Sequence, residues 1–147
     1  VLGFFYTLIY FPLTENQGII YPIIYCYSSL ELEKQAVSIN QLLAKKIKQC
    51  NPKWRSIQLE RCLYQVVASL PDKVIIKNFD VLFNPSYKVD VLQIMRSICK
   101  SKPFQVIWPG RYQNGMLYYS ENRYPDYKTY DINNYDITCV IKEETPI

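Results

Sequence analysis

Asp80 is the residue whose setting most suggests chemistry. It follows the apolar run Val74-Ile75-Ile76 and the segment Lys77-Asn78-Phe79. Nucleotide hydrolases of the P-loop type place a carboxylate at the end of such a strand, where it holds Mg²⁺ or orients the attacking water. Asp80 suits that catalytic role, with Asn78 beside it as a cofactor contact. The same carboxylate equally suits a cap on the following turn. Lys77 stands where such a strand ordinarily ends in Asp, and a cation there holds no metal. The phosphate-cradling sequence G-x-x-x-x-G-K-[ST] is absent. The four glycines are Gly3, Gly18, Gly110 and Gly115, and none is followed by Lys and a hydroxyl residue. That loop needs glycine so that successive backbone N–H groups can wrap the phosphates. Ser28-Ser29, after the apolar run Ile23-Ile24-Tyr25-Cys26-Tyr27, is the nearest geometric stand-in.

A second group of candidates lies downstream. Trp108-Pro109-Gly110-Arg111 follows the short run Phe104-Gln105-Val106-Ile107. In an open α/β sheet the carboxyl ends of the strands line the ligand crevice, so Arg111 could meet a phosphate or a partner. The same residues also read as a chain-reversing turn with Trp108 in the core. Seven tyrosines lie between Tyr112 and Tyr135, beside Arg111, Arg123 and Lys128. Aromatics interleaved with cations stack bases and pair phosphates. Tyrosine is also frequent at protein interfaces and on packed hairpins. Trp108, Gly110, Arg111, Tyr112, Tyr119 and Tyr127 are therefore the candidate surface for a protein partner or for DNA. Glu31, Glu33, Glu60 and Asp126 form no catalytic pair by spacing.

Composition removes several chemistries. There is no histidine, which rules out Ser-His-Asp, Cys-His and His-ligated zinc sites. The five cysteines, Cys26, Cys50, Cys62, Cys99 and Cys139, are odd in number, widely spaced and without Cys-x-x-Cys. That pattern points away from a secreted disulfide framework and toward reduced thiols in a cytoplasmic protein. The net charge of +4 is a small positive excess on a solvated surface, and only mildly favours acidic partners. The run Val1 to Leu13 is too short to cross a membrane as a helix, which takes roughly 20 apolar residues, and lacks the basic start of a signal peptide. It reads as a buried strand, or as the remnant of a truncated or altered front end. No membrane association is expected.

These candidates need elements to hold them. Length and composition fit one domain over residues 1–147. Val1 to Tyr10 and Ile19 to Tyr27 read as strands that could pair as a hairpin about a turn at Thr14 to Gly18. Leu32, Ala36, Ile39, Leu43 and Ile47 recur at helical spacing after a cap at Ser28 or Ser29, which predicts one helix to about Gln49. A second helix spans about Ser56 to Leu70. Lys73 to Lys77 is a central strand, Val89 to Ile98 a helix, and Phe104 to Trp108 another strand. Asn114-Gly115 marks a hairpin, Tyr124 to Tyr127 is a loop, and Asp136 to Ile141 is the last strand, followed by a frayed tail. Strands separated by helices imply a parallel sheet. The expected class is thus α/β, with an open, mainly parallel, Rossmann-like sheet and a C-terminal β-hairpin.

Three segments carry a family resemblance. Asn78-Phe79-Asp80-Val81-Leu82-Phe83-Asn84-Pro85-Ser86, with Lys88-Val89-Asp90-Val91-Leu92, resembles the segment after the Walker B strand of BrxF, a P-loop protein of type 3 bacteriophage-exclusion (BREX) defence systems. Val106-Ile107-Trp108-Pro109-Gly110-Arg111-Tyr112, then Asn114-Gly115, Leu117 and Tyr119, is similar to a second element of that family. Tyr124-Pro125-Asp126-Tyr127 and Tyr130 resemble its tail. Upstream, Ser38-Ile39-Asn40 and Leu42 to Ile47 look like the family's short strand and helix, which would make Val37 to Asn40 a strand. The periodicity favours continuous helix there and the resemblance favours the strand. Residues 1–35, where the family carries its Walker A loop, do not match, and its first Walker B carboxylate falls on Lys77. The resemblance implies a P-loop NTPase-like fold, ATP and Mg²⁺ as cofactors, other BREX proteins as partners, and an accessory role in blocking phage replication with degenerate nucleotide binding. The alternative is a nucleic-acid-binding or protein-interaction adaptor without ATPase activity.

Overall fold

Ser29 starts the first helix by a local bond: its hydroxyl accepts from the Leu32 N–H at 3.2 Å, which satisfies one of the free donors of the first turn. The helix, α1, is short, Leu30–Gln35. At Ala36 the backbone turns extended, and Val37–Ser38 join a sheet. A new helix then runs from Asn40 to Lys48. The single helix expected from periodicity is therefore wrong, and the strand expected over Val37 to Asn40 is right at Val37–Ser38 only, because Asn40 already opens the next helix. The apolar spacing had merged two faces: Leu32 packs with Ile75 and Ile107, whereas Ile39, Leu43 and Ile47 enter the main core. The β-branched Val37 gains sheet pairing with Ile76, which a helix would forfeit.

The computed structural model describes residues 4–11 and 18–146. In chain order the elements are β1 (Phe4–Phe11), β2 (Ile23–Tyr25), α1, β3 (Val37–Ser38), α2 (Asn40–Lys48), α3 (Arg55–Ala68), β4 (Ile75–Lys77), α4 (Val91–Cys99), β5 (Gln105–Ile107), β6 (Arg111–Gln113), β7 (Met116–Tyr119), β8 (Lys128–Asp131) and β9 (Thr138–Pro146). One sheet has the order β1-β9-β2-β5-β4-β3. Its last five strands run parallel, and β1 is antiparallel to β9. The chain is a mixed, mostly parallel α/β sheet with helices. Both edges of β2 are taken, by β5 and β9, so the expected hairpin of the first two strands does not form and β1 pairs with β9 instead. The expected frayed tail is also corrected: residues 142–146 continue β9 against β1. The turn expected at Thr14 to Gly18 falls mainly outside the described residues, as do Val1 to Gly3.

The register divides the large sheet into two unequal faces. Ile24, Ile76, Val106 and Cys139 point to one side and meet the apolar stripes of α2, α3 and α4. Tyr25, Ile75 and Ile107 point to the other, where only α1 among the helices contributes, through Leu32. Ser29, Asn51 and Asp90 each cap the turn that follows them. A second sheet, β6-β7-β8, is antiparallel. Its hairpin turns at Asn114 and Gly115, with φ of 50° and 79°, the left-handed pair that a two-residue turn demands. Strand β8 was not expected, because Pro125 and the polar residues before it mask a run of only four. Among the described residues no helix is long and apolar enough to cross a membrane.

The unequal faces give a test. Ile76 is fully buried in the large core, and Ile75 sits in the small cluster beneath α1. Ile76→Ala should cost about 3–5 kcal/mol of stability, and Ile75→Ala about 2 kcal/mol. Urea unfolding of the two variants measures the difference, and equal costs would mean that α1 covers its face as tightly as three helices cover theirs.

Candidate functional site

Four strands, β2, β3, β4 and β5, present their carboxyl ends on one side of the sheet, where an open α/β fold binds ligands. The sequence placed Ser28, Ser29, Asn78 and Asp80 there, and each side chain has a partner. Ser29 caps α1. Ser28 Oγ donates to Glu33 Oε1 at 2.7 Å. Glu33 Oε2 in turn receives Lys77 Nζ at 2.7 Å, and the Glu33 carbonyl lies 3.4 Å from the same ammonium. The Lys77 ammonium and the Ser28 hydroxyl hold the Glu33 carboxyl below its ordinary value. Glu33 had no predicted partner, and its separation of 44 positions from Lys77 leaves no spacing signal.

Asn78 adopts φ of 55°, a left-handed backbone that asparagine tolerates. It turns the chain out of β4, and its side-chain amide donates to Ser38 Oγ at 2.9 Å. One step later the Val81 N–H donates to Asn40 Oδ1 at 3.2 Å. Asp80 therefore begins a 3-10 turn, Asp80–Phe83, that is tied to the start of α2. Its carboxylate is exposed and accepts the Tyr119 hydroxyl at 2.9 Å. Burial first, then this bond to a carboxylate, raise the Tyr119 phenol above its usual value. Among the described residues no three His, Cys, Asp or Glu side chains cluster to hold a metal.

The residues do not fit a bound Mg·ATP. A triphosphate needs a run of free N–H donors and an unpaired cation. Here the connection from β2 to α1 is Cys26 to Ser29, without glycine. Its two serine hydroxyls are committed, and the Lys77 ammonium at the end of β4 is neutralised by a carboxylate that would repel phosphate.

The candidate surface from Trp108 to Tyr127 splits in two. Trp108 and Tyr119 are 5% and 8% exposed, so their rings are not free to stack on an outside base. They form a clasp instead. Tyr119 stacks on Phe83 with centroids 3.8 Å apart, and Trp108 meets the edges of Phe83 and Tyr130 at 5.8 and 5.7 Å. Trp108 Nε1 donates to the Tyr118 carbonyl at 3.0 Å. Gly110 serves this clasp, since a Cβ there would lie 1.8 Å from the Tyr118 oxygen. Arg111 is exposed and lies over the Tyr118 ring at 4.7 Å, and Tyr112 and Tyr127 are half-buried. Sequence reasoning missed Asp90, which caps α4 and accepts the Tyr135 hydroxyl at 2.6 Å. Two aspartate–tyrosine bonds thus tie β7 and the segment after β8 to the turn after β4 and the start of α4. Comparison with family models, curated proteins and solved structures gives no match to this chain.

Two outcomes follow. Gly110→Ala should destabilise the protein by about 1–3 kcal/mol through overpacking, read by thermal or urea unfolding, while Arg111→Ala on the exposed face should change stability little. A carboxyl with a lowered folded pKa stabilises the fold at neutral pH, and that contribution disappears as pH falls below the ordinary glutamate range. Glu33→Gln should therefore lower stability at neutral pH and converge with the unsubstituted chain in acid. A difference that persists at low pH would mean the Lys77 pairing is not its source.

Proposed function

We propose that this chain is an accessory protein of a BREX-type phage-defence system, built on a P-loop-like sheet whose nucleotide site has been replaced by internal contacts. The observation that carries the second half is the Ser28–Glu33–Lys77 bridge at the strand carboxyl ends. A P-loop reading requires the strand before the phosphate loop and the strand before the acidic position to open on one crevice. β2 and β4 do so, with β5 between them. At the first position stand two committed serines, and at the second a paired lysine. The acidic residue that remains, Asp80, holds a tyrosine. Placement in phage defence rests on the three sequence segments that resemble BrxF. Partner contact falls to what the clasp leaves outside, namely Arg111, Tyr112 and Tyr127.

The test has two readouts. Titration with Mg·ATP, followed by calorimetry to millimolar nucleotide, should give no binding. Binding that weakens in Ser28→Ala or Lys77→Ala would show that the bridge opens to admit phosphate. In cells carrying a type 3 system, removal of this gene should restore phage plating, and Asp80→Asn, which can still accept the Tyr119 hydroxyl, should restrict phage as the unsubstituted chain does. Full restriction without the gene would remove the defence reading, and loss in Asp80→Asn would return a chemical role to that carboxylate.

A further inference from the structure

Away from the strand ends, two thiols face each other. Cys50 follows α2 and Cys62 lies in the middle of α3, and their Sγ atoms are 3.6 Å apart. A disulfide needs about 2.05 Å, so the two sulfurs are already in contact and have only to approach further to bond. Cys50 is half-buried, and Cys62 is 4% exposed behind it. Both line an open cavity of about 430 Å³ between the two helices, shared with Lys46, Arg61, Gln49 and Gln58. Two cations and four amides, with no carboxylate among the lining residues, favour an anionic visitor. Burial, and then the contact with Cys50, push the Cys62 thiol up to about 11, while Arg61 and Lys46 act in the opposite direction. Cys62 is thus the poorer first nucleophile, and Cys50 the reachable one.

We propose that Cys50 and Cys62 form a dithiol site that reacts with a small anionic disulfide and closes to an intramolecular disulfide joining α2 to α3. In the first step the Cys50 thiolate attacks one sulfur of the visitor, R–S–S–R. Its S–S bond breaks, a Cys50–S–S–R bond forms, and one RS⁻ leaves. In the second step the Cys62 thiolate attacks Cys50 Sγ, and the second RS⁻ leaves. The protons of the two protein thiols end on the two released thiols. The protein dithiol is oxidised and the visitor is reduced by the same two electrons. The second step is fast for its pKa because the sulfurs are already in contact. The other neighbouring thiols, Cys26 and Cys139, are an internal comparison: both are free, but Cys139 is fully buried and no visitor reaches it.

The probe is oxidised glutathione, whose carboxylates supply the negative charge. The full chain is incubated with it and digested without reduction, and the peptides are identified by mass. The expected product is one Cys50–Cys62 cross-linked peptide, with the intact chain lighter by two hydrogens. Cys62→Ala should stop at a stable glutathione adduct on Cys50, and Cys50→Ala should stay unmodified at both positions. Cystamine, a cationic disulfide, should react several-fold more slowly, and Lys46→Gln with Arg61→Gln should erase that preference. A persistent adduct on Cys50 in the unsubstituted chain, a cross-link between Cys26 and Cys139 instead, or no reaction would each overturn the proposal. Because mapping of the unsubstituted chain decides the main point, a variant that fails to fold leaves the test intact.

Discussion

Trp108 is the residue on which the joining of the two sheets depends. It stands one position beyond β5, so the large sheet fixes its backbone, and its N–H reaches the small sheet at Tyr118. Its ring supplies the edge contacts that bring Phe83 and Tyr130 together. A buried indole must place its one donor as well as its area; here β7 takes the donor at Tyr118, and Phe83 and Tyr130 on β8 cover the ring. That sets the path of residues 109–119. Gly110 is needed because the Tyr118 carbonyl that accepts the indole N–H lies within reach of any side chain at 110. Tyr119 then lands on Phe83 and Asp80. The clasp orders the turn after β4 from outside, and Asn40 orders it from beneath.

The same economy governs the strand ends. Lys77 is partly buried at the end of β4, and an ammonium there needs an anion or water. In a nucleotide-binding fold a phosphate could satisfy such a cation. In this chain Glu33 satisfies it from α1, and Ser28 fixes the other carboxylate oxygen. The bridge is internal, so it needs no ligand to complete it. It also orders α1, a six-residue helix too short to be stable alone, against the less covered face of the sheet.

Much of the scaffold was legible. The runs at Val74, Phe104 and Asp136 announced parallel strands because three or more apolar residues between breakers have few other uses. Asn114-Gly115 announced its hairpin through backbone conformation alone. The break between α1 and α2 was not legible from periodicity, because Leu32 and Leu43 keep helical spacing while serving opposite faces. The site was legible only as positions. Spacing brought Ser28 and Asp80 to the correct end of the sheet, but what each side chain does was set by Glu33, Lys77 and Tyr119, which are distant in sequence. Burial misled in the same way: a run of tyrosines and cations reads as a surface, yet Tyr119 and Tyr130 are core residues, because the second sheet that carries them packs them on Phe83 and Trp108.

This bears on what the resemblance can mean. Among the residues that carry it are Asp80, Phe83, Trp108, Gly110, Tyr119 and Tyr130, and in the structure these make one connected set of contacts: an aspartate holding a tyrosine, a stacked pair, an indole and the glycine beside it. None of these contacts requires a nucleotide. A likeness at these positions speaks to the way two sheets are joined. Between residues 26 and 29 and at residue 77 the chain has a capped short helix and an ion pair, made by residues outside the clasp. The contacts that join the two sheets and the contacts at the strand ends are made by different residues in this protein, so each can change without the other.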